Sequence, residues 1–172
     1  MRELGEITLD GERHTVKDGK TRIWDYLSDS YREYTVLCGP QKDFDGENIL
    51  LHESVGKAGR IRASGNIIIA GDIEAANLQA NGSLTAYGSV RVTGIGMVSA
   101  LKHITVLGDL TCDSIVLAVG DINVGGRLKA LHVMSGAGVI NAKEKETTRS
   151  FSGIDITALE RLSTLLKENT GK

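Results

Sequence analysis

One pattern recurs four times in the middle of this 172-residue chain, and it restricts the fold more than any other feature. The copies open at Gly65-Asn66-Ile67, Gly82-Ser83-Leu84, Lys102-His103-Ile104 and Gly120-Asp121-Ile122. Set beneath one another they form columns. Ile67, Leu84, Ile104 and Ile122 make the first, and Gly71, Gly88, Gly108 and Gly126 follow four residues later. Ile73, Val90, Leu110 and Leu128 come two residues on, then Leu78, Ile95, Ile115 and Val133 after five more. The copies lie 17, 20 and 18 residues apart, and the alignment puts all of that variation between the fourth column and the next start.

A β-sandwich also alternates, but it has no reason to repeat one pattern at a fixed offset. A repeat of this period whose single unit cannot bury its own apolar face points to a solenoid. The expected fold is all-β: a parallel β-helix of four to five coils, each of three short strands, with every aliphatic column an internal ladder. Aromatic residues make up only 4% of the chain and most precede residue 45, so the core must be Ile, Leu, Val and Ala. The glycine column marks a corner, where glycine either adopts positive φ or lets neighbouring backbones approach closely. Apolar steps of six, then five, then a variable interval predict right-handed winding, because left-handed hexapeptide helices keep a strict period of six. Leu50, Ile61 and Ala63, and Ile140 at the other end, read as degenerate terminal coils.

The ends depart from the repeat and divide the chain into residues 1–46, 47–142 and 143–172. Glu6 to Val16 reads as a hairpin about Asp10-Gly11. Trp24, Leu27, Tyr31 and Tyr34 recur at helical spacing and predict a short helix. Thr35-Val36-Leu37-Cys38 predicts a strand ending at Gly39-Pro40. Lys143-Glu144-Lys145-Glu146 reads as a solvated linker. Beyond it Ile156, Leu159, Leu162, Leu165 and Leu166 form an apolar stripe on a helix of about ten residues. Thr157 and Glu160 stand at capping-box spacing. Such a helix would cap the stack or join a partner. Trp24, Tyr31, Ile140, Leu159, Leu162 and Leu166 are therefore the candidate interaction residues.

Little points to chemistry. A formal net charge of −2 gives no basic field for nucleic acid. No run approaches the ~20 apolar residues of a membrane span, and the terminal helix carries too few basic residues to predict membrane contact. The start of the chain has no apolar signal core, so a cytoplasmic location is expected. Cys38 and Cys112 have no CxxC partner and read as small buried hydrophobes. No pair among His14, His52, His103 and His132 has zinc-site spacing. Catalytic residues, metal and cofactor are all expected to be none. The sharper alternative makes His103 or His132 a general base in an acyltransferase-like cleft between subunits.

The strings Gly65-Asn66-Ile67-Ile68-Ile69-Ala70-Gly71-Asp72-Ile73 and Gly82-Ser83-Leu84-Thr85-Ala86-Tyr87-Gly88-Ser89-Val90 resemble the coils of bactofilins. They are similar also to the β-helical domains of the Min-system division inhibitor and of flagellar-assembly protein A-like proteins. The resemblance covers residues 48–142. It implies a bacterial cytoskeletal scaffold that polymerises end to end without nucleotide. Three functions follow as expectations: a self-assembling, non-enzymatic scaffold; a capped β-helix that binds a protein partner; and an oligomeric acyltransferase-like enzyme.

Overall fold

A computed structural model of the protein describes residues 5–38 and 42–151, and every regular element among them is a strand. β1 (Glu6–Leu9) and β2 (Glu12–Thr15) form the expected antiparallel hairpin. Its turn residues Asp10 and Gly11 have φ of 50° and 79°, the positive pair that a two-residue hairpin requires.

A second hairpin stands where the helix was expected. β3 (Lys20–Asp25) pairs antiparallel with β4 (Ser30–Leu37). Trp24 lies directly opposite Tyr31, and Tyr34 opposite Thr21 on the other side of the ribbon. The helix-like spacing arises because two aromatics of a cross-strand pair flank a short turn. The true period is two: Thr21 is buried and Arg22 exposed, Tyr34 buried and Glu33 exposed.

From β4 onward the chain winds as a parallel β-solenoid of about seven turns. Its strands are β5 (Phe44–Gly46), β6 (Ile49–Leu51), β7 (Val55–Ala63), β8 (Ile67–Ile69), β9 (Ile73–Ala80) and β10 (Leu84–Ala86). Then come β11 (Val90–Val92), β12 (Val98–Ala100), β13 (Ile104–Val106), β14 (Leu110–Ala118), β15 (Ile122–Ser135) and β16 (Ile140–Phe151). They build three faces. Face 1 stacks β4, β6, β8, β10, β13 and the starts of β15 and β16. Face 2 runs from Val55 through Ile73, Val90, Leu110 and Leu128 to Lys145. Face 3 runs from Phe44 through Ile61, Leu78, Val98, Val116 and Val133 to Ser150.

The seven turns exceed the four to five expected, because the outer turns lack the repeat's glycine frame. Residues 143–151 are not a linker but part of β16, the last described turn. Leu128 there gives way to Lys145, Ala130 to Thr147 and Val133 to Ser150. Among the described strands this turn is covered from one side only, so polar residues can stand at its inward positions. The amphipathic helix with Leu159, Leu162 and Leu166 lies outside the described residues.

Ile67, Leu84, Ile104 and Ile122 are fully buried, as is the column containing Val90, Leu110 and Leu128. The last column needs correction. Leu78 and Val133 are in the core, but Val98 and Val116 stand where Ile95 and Ile115 were expected. Ile95 is 101% exposed, on an outward excursion through Gly94, whose φ is 79°. As far as Val133, length variation therefore sits at the corner between faces 2 and 3. Ile73 to Leu78 is five residues, Val90 to Val98 eight and Leu110 to Val116 six. The steps between faces 1 and 2 stay at six from Ile49 as far as Leu128. The loose rhythm behind the right-handed expectation thus belongs to one corner. This reassignment is testable by thermal denaturation: Val98→Ala should cost about 2 kcal/mol, and Ile95→Ser less than about 0.5 kcal/mol. Equal effects would reject it.

The corner glycines are set by close approach rather than by positive φ. Side chains at this corner accept backbone N–H groups from the next turn: Ser54 Oγ from Asp72 (3.0 Å), Asp72 Oδ1 from Ser89 (2.6 Å) and Ser89 Oγ from Asp109 (3.0 Å). Asp109 Oδ1 then accepts from Arg127 at 2.8 Å. Gly88 fits beside this ladder only because it lacks a Cβ. An added one would strike Asp72 Oδ1 and lie 2.6 Å from the Gly71 carbonyl carbon.

A second core lies outside the coil. Ile7, Leu9, Val16 and Tyr34 pack on Leu50 and Ile68, with Ile23, Val36, Ala70 and Tyr87 around them. Val36, Leu50 and Ile68 are successive outward positions of face 1, and beyond them the column turns polar with Thr85, Thr105, Asn123 and Asn141. The N-terminal hairpin therefore sits on the apolar half of that face.

Candidate binding cleft on face 1

The hairpin covers only part of face 1, and a cleft of 690 Å³ opens where it stops. Ile68, Thr85, Thr105 and Asn123 line its floor, one per turn and ~4.8 Å apart. One flank carries Leu9, Asp10 and Glu12 together with Tyr87. Trp24, Tyr26, Leu27 and Tyr31 contribute from the β3–β4 hairpin.

The other flank is a second polar ladder at the corner between faces 3 and 1. Asn48 Oδ1 accepts the Asn66 N–H and Asn66 Oδ1 the Ser83 N–H, both at 2.8 Å. Ser83 Oγ accepts the His103 N–H at 3.4 Å. His103 Nδ1 accepts the Asp121 N–H at 2.9 Å, and Asp121 Oδ1 the Val139 N–H at 2.9 Å. Asn, Ser, His and Asp interchange here because each offers a short-range acceptor. His103 thus serves as an acceptor through Nδ1, which places its proton on Nε2. The Asp121 carboxylate lies 3.9 Å from that Nδ1. His132 is at a different corner, paired in register with Ile115.

The lip is held by Asp25. Its carboxylate accepts from the Leu27 N–H at 3.0 Å, from the Ser28 hydroxyl at 3.1 Å and from the Arg32 guanidinium. Burial pushes the Asp25 carboxyl up, but those donors together outweigh it and leave it below its ordinary value. The lowered value means its contribution is present above the unfolded value of ~3.9 and is lost as pH falls through the folded one. Asp25→Asn should therefore lower Tm at neutral pH, and the gap from wild type should close on acidification below about pH 4. A gap that stays constant with pH would contradict this. Above the turn, Trp24 and Tyr31 meet edge to face, 5.0 Å between centroids and 80° between planes. Tyr26 is 87% and Tyr31 62% exposed, so the lip presents aromatic surface to solvent. Burial pushes the Tyr87 phenol up, and Asp10 and Glu12 add to that, keeping a neutral hydroxyl at the flank.

Of the candidate interaction residues, Trp24 and Tyr31 come together at this lip. Ile140 is instead a core residue, 6% exposed in the last turn of face 1. Leu159, Leu162 and Leu166 lie outside the described residues. Cys112 is an inward residue of face 2 whose thiol is pushed up by burial, whereas Cys38 is exposed rather than buried. Among the described residues no cluster of His, Cys, Asp and Glu could hold a metal, and no helix is long and apolar enough to cross a membrane. The cleft itself went unseen in the sequence. Its signals are the runs Ile49-Leu50-Leu51 and Ile67-Ile68-Ile69, which break the in–out alternation and mark strands covered on both sides.

Comparison with known protein families, curated proteins and solved structures finds no match for this chain.

Proposed function

We propose that this protein is a non-enzymatic β-solenoid that binds an extended segment of a partner protein in the cleft on face 1. The observation that carries the reading is the exposed aromatic lip, Trp24, Tyr26 and Tyr31, beside a polar floor that repeats at strand spacing. Aromatic surface supplies binding area at low entropic cost, and hydroxyl and amide rungs can meet backbone groups of a bound segment. Asp10, Glu12 and Asp121 outnumber Arg13 among the fixed charges of the flanks, so the segment best suited to it is basic.

A bactofilin-like scaffold that assembles through its ends is the second reading. It is favoured by β16, which among the described strands pairs with β15 along one edge only. Two features weigh against simple stacking. The β4 edge is already paired with β3, and the last turn places Lys145 and Ser150 where lower turns have Leu128 and Val133.

A photo-crosslinking residue at Tyr26 separates the two in the cells that make the protein. The binding reading expects one discrete adduct with a different protein, reduced at least several-fold by Thr105→Arg. Adducts of the chain with itself, together with filaments on a negative-stain grid, would transfer support to self-assembly.

A further inference from the structure

The outward column of face 3 changes character along the solenoid. It begins with the ion pair Asp45–Arg62, passes through Gln79 and Ser99, and becomes apolar at Leu117 and Met134. Leu101 and Val119 at the corner closing this face are 58% and 48% exposed, and Leu131 at the opposite corner is 47% exposed. Face 2 has no such stretch: its outward column is Glu74, Arg91, Thr111, Lys129 and Glu146.

We propose that residues 154–166 of this same chain dock on the C-terminal half of face 3. Three observations fix the occupant. β16 is described as far as Phe151, the register partner of Met134, so the segment that follows begins beside the apolar column. The segment that follows carries the stripe Ile156, Leu159, Leu162 and Leu166. Ten helical residues span ~15 Å, which matches three turns at ~4.8 Å each. The third observation is the other end of the molecule. There the outward apolar residues Leu50 and Ile68 of face 1 are covered by Ile7, Leu9 and Val16 of the adjoining terminal segment. Each terminus would thus cover the face it adjoins. An exposed apolar patch of this kind in a soluble chain marks a contact surface.

Hydrogen exchange on the full-length protein tests this. The amides of residues 159–166 should exchange at least tenfold more slowly than an unstructured chain. Met134→Lys and, separately, Leu117→Lys should abolish that protection while the amides of Ile104–Val106 stay protected. Exchange of 159–166 at the unstructured rate in the wild type would overturn the proposal. So would protection that survives both substitutions. Cross-linking identifies the copy that supplies the segment. In a Cys38→Ser background, Met134→Cys with Leu159→Cys should oxidise to an intramolecular bond, and Lys129→Cys with Leu159→Cys should not. Covalent dimers, or equal yields from both pairs, would overturn it.

Discussion

Alanine at Gly88 should destabilise the solenoid by about 3–5 kcal/mol, although it adds a single methyl group. Overpacking commonly costs ~1–3 kcal/mol, and here the atoms in the way are the Gly71 carbonyl carbon and oxygen, each 2.6 Å from the added Cβ. Backbone cannot rotate aside as a side chain can, so the two turns must separate locally. Asp72 Oδ1 stands in the same space and holds the Ser89 N–H at 2.6 Å. Displacing it leaves a backbone donor at the corner without its partner, which costs roughly 1–3 kcal/mol more. Gly56→Ala is the matched control. No atom lies within 4 Å of its added Cβ and its φ is not positive, so it should change stability by less than about 1 kcal/mol. Urea denaturation of the two variants measures the difference directly. Equal midpoints would mean that the glycine column is not set by close approach.

The contrast between these glycines also marks what could be read in the sequence. The first and third columns were legible because the chain steps six residues from face 1 to face 2 in each of the four copies, leaving Leu84 above Ile67 and Leu110 above Val90. The fourth column was legible only where the next step is five residues. At Val90 to Val98 the corner bulges outward, and a fixed offset selects the solvent-facing Ile95. No local signal separates Ile95 from Val98, since both are β-branched and aliphatic. Only the ladder Leu78–Val98–Val116 distinguishes them. β16 was hidden because Lys145 and Ser150 occupy positions whose burial, unlike that of Leu128 and Val133, is not completed by a further described turn. The Trp24–Tyr34 hairpin was hidden by a coincidence of spacing. The cleft was the least legible element. It joins Trp24 to Thr105 and Asp10 to Tyr87, and that proximity exists only after the N-terminal hairpin has folded onto Leu50 and Ile68. The ladder residues Asn66, Ser83, His103 and Asp121 stood in one column of the sequence. Their role as acceptors for the turn above emerges only once the turns are stacked.

That ladder leads to the second large effect, Asn66→Ala, which should cost about 2–4 kcal/mol and loosen the cleft before the solenoid unfolds. Asn66 is 8% exposed and works in two directions. Its Oδ1 accepts the Ser83 N–H along the ladder, and its Nδ2 donates to the Tyr34 hydroxyl at 3.0 Å. Tyr34 is 3% exposed and belongs to the core under the N-terminal hairpin, so this one side chain ties that cap to the stack. Alanine strands a backbone donor and a buried phenol together, at roughly 1–3 kcal/mol for each orphaned group. Tyr34→Phe removes only the second bond and should cost about 1 kcal/mol. A double-mutant cycle between them should give a coupling near ~1 kcal/mol, because losing the Tyr34 hydroxyl leaves Asn66 one fewer bond to lose. Trp24 sits on β3, paired with the β4 strand that carries Tyr34, so its emission should report the loosening at denaturant concentrations where solenoid amides remain protected. The cross-link from position 26 should fall in parallel. Zero coupling, or an Asn66→Ala protein whose Trp24 emission and solenoid unfold together at the wild-type midpoint, would show that the cap is held by its apolar contacts alone.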